Sequence, residues 1–190
     1  FNGLLQGNFG ESNYFKDDVV NVILAPMGNT IFINIFSTIA ALGITIPLGI
    51  FCAVRKNSKF DQSTQVVTML GYSIPIYIIA LVFMYIFCIL IRAFPVGGMK
   101  TAGAEYAPGS WEEFVDMLYH IALPVIVMTF GSLGGMTRYV RSAMIDALSM
   151  DYIRTARAKG VSQIKIIFGH ALKNSLIPVI TYCGPMLAYI

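Results

Sequence analysis

Charge is scarce in this chain. Its 190 residues hold 13 lysines and arginines and 10 carboxylates, 12% in all, where soluble domains run to roughly one-quarter. A hydrophobic share of 56% and a mean hydropathy of +0.70 go with that scarcity and place the chain among membrane proteins. Cysteine is scarce too. Cys52, Cys88 and Cys183 each fall in an apolar stretch, and their spacing suggests neither a zinc site nor a disulfide framework. They read as packing residues, and no metal is implied. The two histidines, His120 and His170, fall at opposite membrane faces by the topology below, and neither has a carboxylate at helical spacing on an obvious shared face. That disfavours an intramembrane hydrolase. No GxxxxGK[ST] phosphate-cradling loop is present. Internal repeats and low-complexity segments are missing. So are an initiator methionine and a signal peptide, and the expectation is an internal piece of a longer protein.

Long apolar runs are what the chain does have. A membrane-spanning helix needs about 20 mostly apolar residues, because every backbone amide in lipid must be satisfied within the segment. Pro26 to Val54 and Val66 to Ile91 meet that with no internal charge, and Met117 to Val140 meets it with His120 near its start and Arg138 near its end. A fourth run starts near Asn174 and is still apolar at Ile190. Four spans are therefore expected, the last incomplete.

The charges are sorted by side. Arg55, Lys56 and Lys59 follow the first span; Arg138, Arg141, Arg154, Arg157, Lys159, Lys165 and Lys173 follow the third. Short cytoplasmic loops collect positive charge, so both segments are expected inside the cell. The other two segments carry Lys16, Arg92 and Lys100 against Glu11, Asp17, Asp18, Glu105, Glu112, Glu113 and Asp116, and belong outside. A net charge of +3 hides this division, and nucleic acid binding is not implied. The outer stretch from Pro95 to Ser110 is rich in glycine and proline and should be irregular, with Trp111 near the membrane interface.

The cytoplasmic segment from Ser142 to Lys173 is amphipathic. Ser149 is a good N-cap, Asp151 suits the first turn, and Gly160 supplies a stop, so a helix is predicted from about Met150 to Lys159. Tyr152, Ile153 and Ala156 share one arc of it, and Arg154 and Arg157 another. Ser162 can cap a second helix that carries Ile164, Ile167, Phe168, Ala171 and Leu172 at spacings of three and four. Such an elbow can project toward a soluble partner or lie on anionic lipid.

The runs DYIRTARAKGVS and HALKNSLIPVIT resemble the cytoplasmic signature of binding-protein-dependent ABC importer permeases. The closer likeness is to the B-type subunit of the oligopeptide, dipeptide and nickel branch. The general signature begins Glu-Ala-Ala and places a glycine four residues after the second alanine. Here Arg154, Thr155 and Ala156 take the first three positions, and Gly160 stands at the expected spacing. The missing glutamate departs from the general signature, but Tyr-Ile-Arg-Thr-Ala-Arg-Ala-Lys-Gly is what the peptide branch looks like. GNFGES is similar to that branch's Gly-Asp-Leu-Gly-x-Ser stretch, differing at Asn8 and Phe9. NTIFINIFSTIAALGITIPLGIFCAVRKNSKFDQ is similar to its second helix and following loop, and GYSIPIYIIALVFMYIF to its third. By this resemblance the chain starts after the first transmembrane helix and stops within the fifth.

The resemblance implies an all-α, polytopic bundle of the MetI-like type with a cytoplasmic coupling helix, in a bacterial inner membrane. Such a permease does no bond chemistry and holds no cofactor. It turns the motion of two ATPase subunits, which bind ATP and magnesium, into alternating exposure of a central path. That path is shared with a second, C-type permease and fed by an extracytoplasmic peptide-binding protein. Tyr152, Ile153, Ala156 and Gly160 are expected to form the docking face and its turn, and Arg154, Arg157 and Lys159 to add electrostatic contacts. Asn34, Thr38, Thr45, Tyr72, Ser73 and Thr129 are polar residues within spans, read as path-lining or as interhelical hydrogen bonds. Pro47, Pro75, Pro124 and Pro178 mark possible kinks, and GSLGGM, Gly131 to Met136, reads as close helix packing. Peptides are the expected cargo, with nickel or glutathione as same-branch alternatives. A non-transporting scaffold and a channel or secondary transporter remain as other classes, although the uncharged spans argue against a proton relay.

Overall fold

The computed structural model describes residues 7–188, with side-chain surroundings through residue 181. Among the described residues the regular structure is all helical, apart from one isolated bridge between Glu11 and Asp18. Helix α1 spans Val19–Val54 and keeps both Pro26 and Pro47 inside it. Several of its hydroxyls bond to its own backbone: Thr30 donates to the Pro26 carbonyl at 3.3 Å and Thr45 to that of Ala41 at 2.7 Å. That local bonding lets polar residues ride in an apolar helix.

The second expected span is not one straight helix. Helix α2, Lys59–Ser73, is followed by α3, Ile76–Met84, which runs on into a π-helical turn, π1, Tyr85–Leu90. The two halves meet at 94°. Pro75 is the cause: it lacks an N–H to donate and pushes Ile74 out of the helical region, to φ −88° and ψ 127°. Apolar composition located the segment and Pro75 marked a possible kink, but neither gave its angle.

Helix α4, Trp111–Ser149, is the hub on which α1, α2 and α3 pack. The Ser110 side chain caps it by accepting from the Glu113 N–H at 3.2 Å, and Glu112 and Glu113 oppose the dipole in its first turn. It runs nine residues past the expected end of the third span, so the basic segment starts as a continuation of the hub. Beyond it lie α5, Asp151–Ala158; a single turn α6, Gln163–Lys165; a second π-helical turn π2, Ile166–Ala171; and α7, Leu172–Ala188.

Small residues let these helices approach. A Cβ built on Gly134 falls 2.5 Å from the Thr68 carbonyl oxygen, and one on Gly49 falls 2.6 Å from Val140 Cγ1. The packing reading of GSLGGM therefore holds at Gly134. Gly131 also faces a neighbour, the tip of Ile76. At the far end of the hub, Ile50, Val140, Met144, Ile153, Ile166 and Ala171 belong to one buried cluster that joins α1, α4, α5 and π2.

The glycine- and proline-rich stretch from 91 to 110 contains no helix, as its composition suggested. It is tied down onto the start of α4. Thr101 donates its N–H and hydroxyl to Asp116 at 2.7 and 2.6 Å, Gly109 donates to Glu113 at 2.7 Å, and Lys100 pairs with Glu113. Trp111, 71% exposed, opens the helix beside them.

Candidate functional site

The elbow begins one residue later than expected. Ser149 ends α4, and its hydroxyl donates back to the Asp146 carbonyl at 2.7 Å. Met150, extended at φ −68° and ψ 152°, takes the N-cap position without a side-chain bond. No breaker stands before Ser149, so the hub helix absorbs it. Asp151 occupies the first turn and Arg157 the last, each the favoured sign for its end of the dipole.

Gly160 closes the helix. Its φ is +73°, its N–H donates to the Arg157 carbonyl at 3.0 Å, and the Val161 N–H reaches back to Ala156 at 3.1 Å. These are the paired closing bonds of a helix ended by a left-handed glycine. A Cβ here would meet nothing within 4 Å, so the demand is conformational and not steric. Gly160→Val is expected to cost about 1–2 kcal/mol through φ alone, and Gly160→Asn less, since asparagine tolerates this region. Thermal unfolding of the purified variants measures both.

The faces of α5 are not shared out as expected. Ile153 is fully buried and Ala156 is 9% exposed, both inside the chain's own cluster. They are therefore not available as a docking face. An eight-residue helix needs an apolar anchor to be held at all, and these two positions, three apart, are that anchor. Tyr152, Arg154, Thr155, Arg157, Lys159 and Gly160 are exposed. Arg157 also lines a cleft of about 280 Å³ with Lys56, Ser149 and Gln163. The outward surface is thus cationic with one aromatic ring.

Past Gly160 the expected apolar stripe is rotated. Ile167 and Ala171 are buried together with Ile166, while Ile164 and Phe168 are 73% and 53% exposed. The wide turn of π2 brings Ile166 and Ala171, five apart, onto one side and throws the other two outward. Ser162 is extended before Gln163 but makes no side-chain cap bond.

The residues expected along a path divide. Thr129 is buried, with its hydroxyl donating to the Ser37 carbonyl at 3.4 Å, and Thr45 is fully buried, so both serve helix packing. Asn34 and Thr38 are half-buried on α1. Tyr72 and Ser73 are exposed at the end of α2; the Ser73 hydroxyl donates to the Met69 carbonyl at 2.8 Å, and the Arg138 guanidinium lies 5.4 Å from the Tyr72 ring centroid. Pro47 and Pro124 lie within unbroken helices, whereas Pro75 marks the bend. Cys52 and Cys88 are buried free thiols, and Cys183 lies outside the residues whose side chains are described.

The family described as binding-protein-dependent transport system inner membrane component matches residues 45–190. The chain belongs to this family. It is 38% identical over 97% of its length to an oligopeptide transport system permease protein (AppB) of Bacillus subtilis, covering 57% of that protein. It is 33% identical over 95% to a di/tripeptide transport system permease protein (DppB) of Pseudomonas aeruginosa, again 57% of it. A dipeptide transport system permease protein (DppB) of Escherichia coli is 30% identical over 96% of the chain, with 58% of that protein covered. The chain spans about half the length of the curated relatives it matches. The likeness seen first in the elbow thus extends along the chain, which is an all-α, multi-pass member of a family of bacterial inner membrane transport components.

Two polar pairs in the chain escaped the reading of the sequence. His120 does have a carboxylate at helical spacing: Asp116 stands four residues earlier, its Oδ1 3.6 Å from His120 Nδ1, and its backbone carbonyl is bonded to the same nitrogen at 2.8 Å. The other pair joins Asp61 to Arg141. Asp61 is fully buried at the start of α2, and Arg141 meets it with Nε to Oδ1 at 2.6 Å and Nη2 to Oδ2 at 2.7 Å. Counting the cations of that loop hid its one carboxylate. The Arg141 guanidinium, ahead of the backbone bond from Asn57, holds the Asp61 carboxyl below its ordinary value.

A lowered folded value fixes the sign of a pH effect. The stabilisation is fully present above the unfolded value of about 3.9 and is lost as pH falls through the lower folded one. The difference in thermal stability between the parent and Asp61→Asn should therefore hold constant from neutral pH down to about pH 4 and close only below it.

Proposed function

We propose that the full protein is the B-type permease of an ATP-driven peptide importer, with α5 as the helix through which ATPase subunits act on it. The observation that carries this is the inward turn of Ile153 and Ala156. A helix that lies on lipid presents its apolar face to the bilayer. Here that face is consumed by the chain's own core, which leaves a cationic surface fixed to the bundle and free to meet a soluble partner. Tyr152, Arg154, Arg157 and Lys159 are the contacts, and Gly160 sets the turn that ends them.

Peptide cargo is supported by the names of relatives aligned along nearly the whole chain. The partners are a second, C-type permease, two ATPase subunits that bind ATP and magnesium, and an extracytoplasmic peptide-binding protein. Asn34, Thr38, Tyr72 and Ser73 are the residues placed along the path. The basic segments face the cytoplasm, so an impermeant thiol reagent should reach cysteines placed at Ser58 and Ser162 only after the cell is opened. The test of function is reconstitution of the complete complex in liposomes. ATP-dependent uptake of a labelled oligopeptide or dipeptide supports the reading. Uptake of a nickel chelate or glutathione alone overturns the cargo, and an absence of any ATPase association overturns the importer.

A further inference from the structure

Helix α2 is poorly anchored by apolar contact. Its buried residues are Asp61 and Thr68, while Val66, Val67, Met69 and Leu70 are all more than half exposed. Its attachment to the hub is polar and close-packed instead. Arg141 grips its first turn through Asp61, Gly134 admits its backbone at Thr68, and Arg138 covers the Tyr72 ring at its far end. Immediately beyond that end the chain bends by 94° into α3.

The grip at Asp61 is saturated. Besides the two bonds from Arg141, its carboxylate accepts the Asn57 N–H at 2.8 Å and the Gln65 amide at 3.1 Å. A bidentate pair with further donors has one good geometry, whereas an apolar contact can slide. Arg141 lies about 12 Å along α4 from the end that leads into the elbow. The neighbouring Val140 and Met144 of α4 share a buried cluster with Ile153 and Ala156 of α5. These contacts form a packed route along α4 between α5 and the guanidinium.

We propose that Asp61 and Arg141 are a positioning pair that makes α2 move with α4 and the elbow as one body, so that the bend at Ile74 and Pro75 is the hinge on which α3 changes its angle. Neither residue touches cargo. The pair acts through α2, and the proposal rests on α5 being the ATPase contact.

The test uses the complete reconstituted transporter carrying spin labels on exposed positions. Val66 with Met150 reports α2 against the elbow, and Val66 with Leu81 reports α2 against α3. With the pair intact, the first distance stays the same between nucleotide-free and ATP-bound states and the second changes. In Asp61→Ala, and in Arg141→Lys, which keeps the charge but loses the fork, the first distance broadens. Peptides moved per ATP should fall about tenfold, within the usual range of coupling between sites. Should a single variant fail to assemble, Asp61→Ala/Arg141→Ala, which leaves no buried charge unpaired, is measured in its place. Unchanged distances and unchanged peptides per ATP in assembled variants overturn the proposal. A parent complex that moves no peptide sinks the transport reading instead, and the first distance still decides whether α2 follows the elbow.

Discussion

Gly134→Ala, a single added methyl group, is expected to destabilise the permease by about 1–3 kcal/mol and to loosen α2 from α4. Alanine ordinarily favours a helix over glycine by up to about 1 kcal/mol, so the sign is opposite to propensity. The reason is what the methyl meets: the Thr68 carbonyl oxygen at 2.5 Å and Tyr72 Cβ at 2.9 Å. Backbone cannot swing aside as the end of a side chain can, so the helices must separate, and the grip on α2 weakens with them. Gly131→Ala meets only the flexible tip of Ile76 and should be milder. Gly43→Ala meets nothing within 4 Å and should be neutral or slightly stabilising. Thermal unfolding of the three variants in one detergent gives the order. A Gly134→Ala protein as stable as Gly43→Ala would refute the close crossing.

A larger separation of effects is expected within the elbow. Ile153→Asp places an unpartnered carboxylate where no surface is exposed, at a cost of several kcal/mol, and Ala156→Glu does nearly the same. Both should lower the stability of the chain by itself, before any partner is added. Reversing Arg154, Arg157 and Lys159 to glutamate should behave in the opposite way. These side chains are exposed and lie outside the buried cluster, so stability should change by no more than about 0.5 kcal/mol per position. Binding of ATPase subunits should nevertheless be lost. Unfolding of the isolated chain, set beside co-purification of the ATPase, separates the two groups.

Much of this arrangement was legible in the sequence because its causes are local. The glycine at 160 ends its helix for reasons contained in the preceding turn. Apolar length located the spans, and Pro75 was named as a possible kink, yet nothing local set its angle. What escaped were consequences of tertiary contact. Ile153 and Ala156 were correctly placed on the apolar arc of α5, but a helical wheel does not say whether that arc meets a partner or the chain's own core. The π2 turn rotated Ile164 and Phe168 outward against a clean spacing of threes and fours. Asp61 and Arg141 are 80 residues apart in the chain, and a count of charge by side treats both as loop residues when they are the bond between α2 and the hub.

The most direct measurement is site-specific photo-crosslinking from the elbow in the assembled transporter. A photoreactive residue replaces Arg154 in one sample and Ile153 in another. Arg154 is expected to give a covalent product with an ATPase subunit, and Ile153 products only within the permease chain. Crosslinks from Arg154 to lipid and not to an ATPase would contradict the account.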